Sequence, residues 1–439
     1  MTAECREERG QLRPEGELAD ETLLNDEFLR QLMNVGEVDI VVGLPTYNNA
    51  RTVEPVVRSI QAGILKCFPR ERVVIINADG DSQDGTRDLV HSVSIDDVWR
   101  ASKVYALRTL HVIGTQYGHN PEPGVALRTI LSAADLLRAR ACVVISPESS
   151  TIEADWLQRL VRPIYDNNFD LVSPIYRRQK FAGVLTRNLL YPMTRAIYGN
   201  AIREPYAPEF AISSRLATDF LSNENWDDDG ARNGAEIFLT VMAITGKYRI
   251  CQAFLGMRPA QNRGALDLVE AMRRTVGSLF FSLDGNFPYW SGITACQPLQ
   301  TFGPESEVSV EPVTVDLARL HEMFVTGIAE LDAVFSSVLS EATLSDLKKI
   351  ATLNLNSFAY PDDLWARTVF DFAASYHKSV ISRDHIVQAL APVYRGRALA
   401  FLRENQDASA EDVEKNVESL CGEFERLKPY LLEMWADRK

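Results

Sequence analysis

The feature that most constrains the fold of this chain is an alternation of short apolar runs with helical segments over residues 38–174. Continuous apolar runs at 38–45 and 72–77 are typical of strands buried on both faces of a sheet, and residues 50–65 between them carry apolar side chains at helical spacing. Strands that alternate with helices in this way predict βαβ units, and therefore an open, mostly parallel α/β sheet. Further strands are predicted at 109–113, 141–146 and 170–174, and further helices at 85–92, 124–138 and 152–165.

The pattern changes near residue 313, where long segments with a period of 3.6 residues begin. They predict an all-helical C-terminal region, with helices at 315–339, 344–354, 361–379, 381–405 and 410–435. We therefore predict three parts: an N-terminal arm and helix (1–36), an α/β domain (37–300) and a helical domain (313–439).

Composition excludes several classes of partner. The net charge of −14 argues against binding to nucleic acid or to an anionic membrane, because both need a basic surface. No apolar run approaches the ~18–20 residues that span a bilayer, and the acidic, polar first residues do not resemble a signal peptide. The six cysteines are scattered, which favours free thiols in a reducing compartment. We expect a cytoplasmic protein.

Two polar loops follow the first two predicted strands, at 45–49 and 78–86. Ligands bind to open α/β sheets beyond the carboxyl ends of the strands, so both loops are candidates for a binding site. Asp79, Asp81 and Asp84 accept hydrogen bonds when ionised, which suits the hydroxyl and amino groups of a nucleoside. An Asp- and Gly-rich turn that caps the next helix explains the second loop equally well.

The sequences of these loops, P-T-Y-N-N and D-G-D-S-Q-D-G-T, resemble the nucleotide-sugar loops of GT-A glycosyltransferases of the family 2 type. Residues 118–127 are similar to the G-K-G-x-A-L loop of that family. Residues 173–178 and 191–199, together with the helical tail, resemble the retaining subgroup that contains mannosylglycerate and glucosylglycerate synthases.

This resemblance implies a GT-A fold and the transfer of a hexose, with retention, from a nucleoside-diphosphate sugar to a small polar acceptor such as glycerate. It also implies a Mg²⁺ or Mn²⁺ ion at the diphosphate. The catalytic candidates are Glu209 and Glu236. The candidates for binding the nucleotide sugar are Pro45, Thr46, Tyr47, Asn48, Asp79, Asp81 and Gly124.

The chain departs from the family at the metal site. Where a D-x-D motif is expected it has Ser146-Pro147-Glu148, so Glu148 is the remaining candidate metal ligand, and Ala260 stands where a ligating His is expected. One carboxylate is a poor divalent site. The basic candidates for binding the diphosphate or the acceptor are Arg177, Lys180 and Arg258.

Two hypotheses remain open at this stage. The chain is either a transferase with altered metal use, or a catalytically impaired homologue that acts as a nucleotide-binding, regulatory or scaffold subunit. In either case a homo- or hetero-oligomer is compatible with the sequence.

Overall fold

The computed structural model describes residues 24–101, 111–116, 123–223, 233–258, 265–305 and 315–436. Most of the predicted N-terminal arm, the loop at 118–122 and Ala260 lie outside these ranges.

An eight-stranded sheet in the order β3-β2-β1-β4-β6-β5-β7-β8 forms the centre of the described chain. Neighbouring strands pair in parallel, except that β6 runs antiparallel to both β4 and β5. The predicted α/β class with a mostly parallel sheet is therefore confirmed, while β6, β7 and β8 were not predicted from the sequence. The strands are β1 (Ile40–Thr46), β2 (Val73–Asp79), β3 (His111–Gln116), β4 (Ala141–Val144), β5 (Leu171–Arg178), β6 (Phe210–Ser213), β7 (Ile250–Arg258) and β8 (Thr301–Phe302).

Helices surround this sheet and form all the regular secondary structure of the described chain after β8. Through the sheet region they are α1 (Asp26–Val35), α2 (Val53–Cys67), α3 (Thr86–Ala101), α4 (Pro123–Leu136), α5 (Asp155–Asn167), α6 (Tyr191–Tyr198), α7 (Ser214–Leu221), α8 (Ala235–Thr245), α9 (Ala265–Met272), α10 (Ser278–Gly285) and α11 (Phe287–Trp290). Two π-helical turns, Thr186–Leu190 and Arg273–Gly277, precede α6 and α10.

The predicted helical C-terminal region is confirmed. Its helices are α12 (Leu317–Glu330), α13 (Asp332–Val338), α14 (Glu341–Ala351), α15 (Asp362–Lys378), α16 (Arg383–Glu404) and α17 (Ala410–Ala436). The first predicted segment is two helices rather than one, because the chain leaves helical geometry at Leu331.

The central strand β1 is buried on both faces, as its apolar sequence indicates. Ile40, Val42 and Leu44 belong to the apolar cluster that contains α2 and α5, whereas Val41 belongs to the cluster on the opposite face. A Cβ atom on Gly43 would lie 2.4 Å from Cγ2 of Ile130, so α4 packs against β1 at a distance that only glycine permits.

The apolar cluster that contains Val41 continues into the C-terminal helices, where Phe424 and Trp435 of α17 belong to it. The sheet and the helical region therefore share one core, and the domain boundaries drawn from the sequence stay a prediction. No helix among the described residues combines the length and the apolar character that crossing a membrane requires.

Candidate functional site

The order of the strands creates a crevice beside the end of β1. The chain proceeds from β1 through β2 to β3 on one side, and β4 then pairs in parallel with β1 on the other side. This reversal is a topological switch point, where open α/β sheets bind their ligands. A cavity of about 380 Å³ opens there, and we call it the switch-point cavity. Its polar and loop residues include Pro45, Thr46, Tyr47, Ser146, Glu148, Glu236 and Arg274.

Asp79 organises the base of this site rather than lining it. Parallel pairing sets Thr46 beside Asp79, and Oγ1 of Thr46 lies 2.7 Å from Oδ2 of the carboxylate. The backbone N–H of Ser82 donates to Oδ1 of Asp79 over 2.8 Å. Asp79 is fully buried, so its carboxylate fixes the β2 loop and does not reach the cavity directly.

The loops after β1 and β2 are hydrogen-bonded to each other. The backbone N–H of Asn48 donates to Oγ of Ser82 (2.8 Å), and the backbone N–H of Gln83 donates to Oδ1 of Asn48 (3.0 Å). Asp84 accepts from the N–H of Ala50 (3.0 Å), and hydrogen bonding, first from the side chain of Thr86, lowers the pKa of Asp84. These contacts hold the rim of the cavity before any ligand arrives.

Three other candidates for binding the nucleotide occupy different positions. Tyr47 lines the cavity and is 44% exposed, a large fraction for an aromatic side chain. Asp81 lies in the β2 loop with a positive φ of 68°, and it does not line the cavity. Gly124 is buried in the first turn of α4, just before Ala126 and Leu127, which do line the cavity.

The ionisable side chains at the cavity come from three separate elements. Glu148 follows β4, Glu236 is in the first turn of α8, and Arg274 is in the second π-helical turn. Oε2 of Glu236 is buried without a hydrogen-bond partner among the described residues. Burial raises the pKa of Glu236 to about 7, and the charge of Arg274 opposes that rise.

Glu209, the other catalytic candidate, is 1% exposed and closely held. Ser149 and Tyr176 donate to it from their hydroxyls, and Nη1 of Arg258 donates to its Oε2 over 2.9 Å. Burial, together with the Glu209 carboxylate, raises the pKa of Tyr176 well above its ordinary value, so the phenol keeps its proton. Both carboxylate oxygens of Glu209 thus accept hydrogen bonds, and Arg258 is paired with Oε2.

A second cavity, of about 280 Å³, lies between the end of β5 and the start of α17. We call it the basic cavity, because five cationic and three acidic side chains line it: Arg177, Arg178, Lys180, Arg187 and Arg203 with Glu204, Glu305 and Glu414. Tyr176 lines this cavity, and Pro208 and Phe210 line the first one. Glu209 and its three partners, which we call the Glu209 cluster (Glu209, Ser149, Tyr176 and Arg258), therefore lie between the two cavities.

Most cations of the basic cavity are paired with carboxylates. Arg178 makes a bidentate pair with Glu204 (2.8 and 2.6 Å), and Arg187 pairs with Glu414 over 3.0 Å. Burial, followed by the charges of other arginines, lowers the pKa of Arg187 to about 10. Lys180 has a backbone partner instead, because its Nζ donates to the carbonyl of Gln406.

The structure thus separates the residues that the sequence suggested. It brings together Pro45, Thr46, Tyr47, Glu148 and Glu236 at the switch-point cavity, and Arg177 with Lys180 at the basic cavity. Sequence reasoning missed Arg274 at the first cavity, because an Arg pair in a helical segment usually marks a solvated surface.

No group of three or more His, Cys, Asp or Glu side chains within the described ranges is arranged to hold a metal ion. The carboxylates that line the switch-point cavity are Glu148 and Glu236. Alone they fall short of a protein-built divalent site.

Neither a protein-family model nor a curated protein sequence matches this chain. Solved structures of glucosyl-3-phosphoglycerate synthase from Mycobacterium tuberculosis are similar to it. One, with Mg²⁺ and uridine diphosphate, is 22% identical with a TM-score of 0.44, and covers 58% of this chain and 83% of that chain. Another, with Mn²⁺, uridine-diphosphate-glucose and phosphoglyceric acid, is 20% identical with a TM-score of 0.43, over 58% of this chain and 82% of that chain. At this level of similarity the substrates and the metal use of these synthases do not carry over to this chain.

Proposed function

We propose that this chain binds a nucleoside-diphosphate sugar in the switch-point cavity and transfers its hexose to a small, anionic acceptor. The observation that carries the proposal is the position of the cavity. It opens at the topological switch point of the sheet, where the first of the two loops that the sequence motifs marked, at 45–49, lines it. The second marked loop is hydrogen-bonded to the first and supports it.

The rim suits a nucleotide because it combines a rigid backbone with one exposed ring. The hydrogen bonds between Asn48 and the loop at 82–83 fix the two loops in advance, which lowers the entropic cost of binding. The exposed ring of Tyr47 offers a face on which a base stacks, a contact worth ~1–3 kcal/mol.

The carboxylates suit the chemistry of a hexose donor. A hexosyl group develops positive charge at its anomeric carbon as the bond to the diphosphate breaks, and nearby carboxylates stabilise that charge. One oxygen of Glu236 has no hydrogen-bond partner in the part of the chain that the structure describes, and a pKa of about 7 places both protonation states within reach at neutral pH. We assign Glu236 the role of catalytic residue. Retention of the anomeric configuration rests on the resemblance of the motifs.

The acceptor is assigned to the basic cavity. Its described lining has five cations against three carboxylates, and an excess of positive charge favours an anion such as glycerate or phosphoglycerate. Lys180, which has no carboxylate partner among the described residues, is the candidate for contacting that anion. The Glu209 cluster separates the two cavities, so the hexose of the donor and the hydroxyl of the acceptor would approach each other beside it.

A divalent ion is not part of this proposal. Glu148 and Glu236 do not by themselves make a metal site, so the proposed roles belong to side chains of the chain. Should Mg²⁺ or Mn²⁺ bind with the nucleotide, it would neutralise charge on the leaving diphosphate.

One observation favours the alternative function of a binding or regulatory subunit without transfer activity. Glu209, a carboxylate expected at the catalytic face, is buried and neutralised by Arg258, so it is not available to a reacting sugar. A chain that keeps its nucleotide loops while losing a free carboxylate is still able to bind a nucleotide and signal its presence.

Calorimetric titration with UDP, GDP and their hexose conjugates, with and without Mn²⁺, tests these functions together with a transfer assay on glycerate and phosphoglycerate. We expect binding, and turnover that falls at least ~100-fold in Glu236→Ala. Tight binding without turnover in the wild type would support the alternative, and no binding of any of these ligands would overturn both.

A further inference from the structure

We infer that Arg274 is the side chain that binds the diphosphate of the nucleotide in the switch-point cavity. This inference rests on the proposed function and deepens it, because it names the group that recognises the most highly charged part of the ligand.

The hydrogen bonds of Arg274 leave its outer nitrogens for a ligand. Its Nε donates to Oε1 of Glu270 over 2.8 Å, and this pair along the helix fixes the direction of the guanidinium. Nη1 and Nη2 have no protein partner among the described residues, and the side chain is 35% exposed where it lines the cavity. Two adjacent N–H groups in one plane match two phosphate oxygens.

Close packing brings Arg274 to the cavity. A Cβ atom on Gly234 would lie 2.3 Å from the carbonyl oxygen of Arg274 and 2.1 Å from Oγ of Ser278. The start of α8 therefore lies directly against the π-helical turn, at a distance that a larger residue would prevent. This contact sets Glu236 of α8 and Arg274 on the same cavity, so the same packing positions the carboxylate and the cation.

The charge balance of the cavity gives Arg274 this role. The described lining contains two carboxylates, Glu148 and Glu236, and Arg274 is its one cation. A diphosphate brings further negative charge and needs a cationic partner. The basic candidates from the sequence do not supply it there, because Arg177 and Lys180 line the basic cavity and Arg258 is paired with Glu209.

The neighbouring Arg273 provides a matched control. It is in the same π-helical turn and pairs with the same Glu270, at 3.4 Å. However, it lines a different cavity, on the side of α16, where it lies 3.3 Å from Asp384. Replacing either Arg273 or Arg274 removes a positive charge from this turn and a partner from Glu270. Only the replacement of Arg274 removes a cation from the switch-point cavity.

The test compares Arg274→Gln, Arg274→Lys and Arg273→Gln by calorimetric titration with UDP and GDP, in EDTA and again with Mn²⁺. Uridine and guanosine serve as ligands without phosphate. For whichever of UDP and GDP the wild type binds, we expect Arg274→Gln to raise the Kd by about 10- to 100-fold, since charge-assisted hydrogen bonds to the phosphates are lost. Its affinity for the nucleoside should stay unchanged. The Kd of Arg274→Lys for the diphosphate should lie between those of the wild type and Arg274→Gln. The Kd of Arg273→Gln should match that of the wild type within about twofold.

Equal binding of the diphosphate by wild type and Arg274→Gln, in both buffers, would overturn the assignment while leaving the proposed function intact. An equal loss in Arg273→Gln would also overturn it, since the effect would then belong to the turn as a whole. If the wild type binds neither UDP nor GDP, the proposed function fails and the assignment fails with it. Circular dichroism shows whether Arg274→Gln has folded. If it has not, Arg274→Lys, which keeps the charge but loses the planar pair of N–H groups, replaces it in the test, and a Kd equal to that of the wild type would overturn the assignment.

Discussion

The two cavities of this protein differ in how their charged side chains are paired. At the switch-point cavity, an oxygen of Glu236 and the outer nitrogens of Arg274 have no partner among the described residues. At the basic cavity, Arg178, Arg187 and Arg203 are each held by a carboxylate. A buried carboxyl without a partner is costly to ionise, and such groups cluster at functional sites, whereas a paired charge is explained by packing alone.

The pairs of the basic cavity explain a structural feature, the attachment of α17. Glu414 and Glu418 of α17 bind Arg187, Arg195 and Arg203 of the α/β region. This comparison predicts that changes to the unpaired groups of the first cavity alter activity and the pH dependence of stability, and that changes to the ion pairs of the second cavity mainly alter stability.

The largest expected effect is on the pH dependence of stability through Glu236. In the folded protein its carboxyl keeps its proton up to about pH 7, whereas in the unfolded chain it ionises near 4.5. The unfolded state therefore binds fewer protons between these values, and the free energy of unfolding falls as pH rises through them. Glu236→Gln should remove this loss, a difference of at most ~3 kcal/mol at pH 8, since each pKa unit corresponds to ~1.4 kcal/mol.

Urea unfolding at pH 5 and pH 8 measures this change in the free energy of unfolding. Glu330→Gln, at an exposed residue of α12, is the control. Identical pH profiles for the wild type and Glu236→Gln would mean that Glu236 ionises normally and that the two cavities do not differ in this respect.

Glu414→Gln should lower the free energy of unfolding by about 2 kcal/mol. The change leaves Arg187, whose side chain is 11% exposed, without its carboxylate, and the half-buried pair with Arg203 is lost as well. Chemical denaturation measures the change, while the Kd for the nucleotide should stay the same.

Glu411→Gln is the matched control for that variant, because Glu411 is exposed one turn earlier on α17. If Glu414→Gln weakened nucleotide binding and left stability unaltered, the basic cavity would be part of the donor site and the comparison would be wrong.

The smallest expected effect concerns Lys180. Lys180→Gln should raise the KM for glycerate or phosphoglycerate about fivefold to tenfold, since a charged hydrogen bond is lost. It should leave kcat and the Kd for the nucleotide unchanged. Steady-state kinetics at varied acceptor concentration measures this, with Lys378→Gln on the exposed end of α15 as the control. A change in kcat with an unchanged KM would assign Lys180 to the reaction and not to binding of the acceptor.

Much of the fold was predictable because its signals are local. The apolar runs of β1 and β2 are long enough to mark strands buried on both faces, and the C-terminal helices have clear periodicity. The short strand β6, Phe210–Ser213, has only four residues and was missed. Its antiparallel place between β4 and β5 depends on pairing with strands about 40 and 70 residues earlier in the chain, which no local pattern records.

The candidate site, like the fold, has one part that local sequence determines and another that depends on distant residues. The sequence by itself determined the two strand-end loops, because a parallel sheet brings the carboxyl ends of neighbouring strands to one edge whatever surrounds them. Only the tertiary structure decided which charges face the crevice. In the folded protein, Asp79 and Glu209 are buried against partners. Arg177 and Lys180 line another cavity. Arg274 lines the same cavity as Glu236, because the chain packs closely at Gly234. The physical reason is that pairing and burial of a charge depend on residues distant in sequence, whereas strand and helix periods depend on near neighbours.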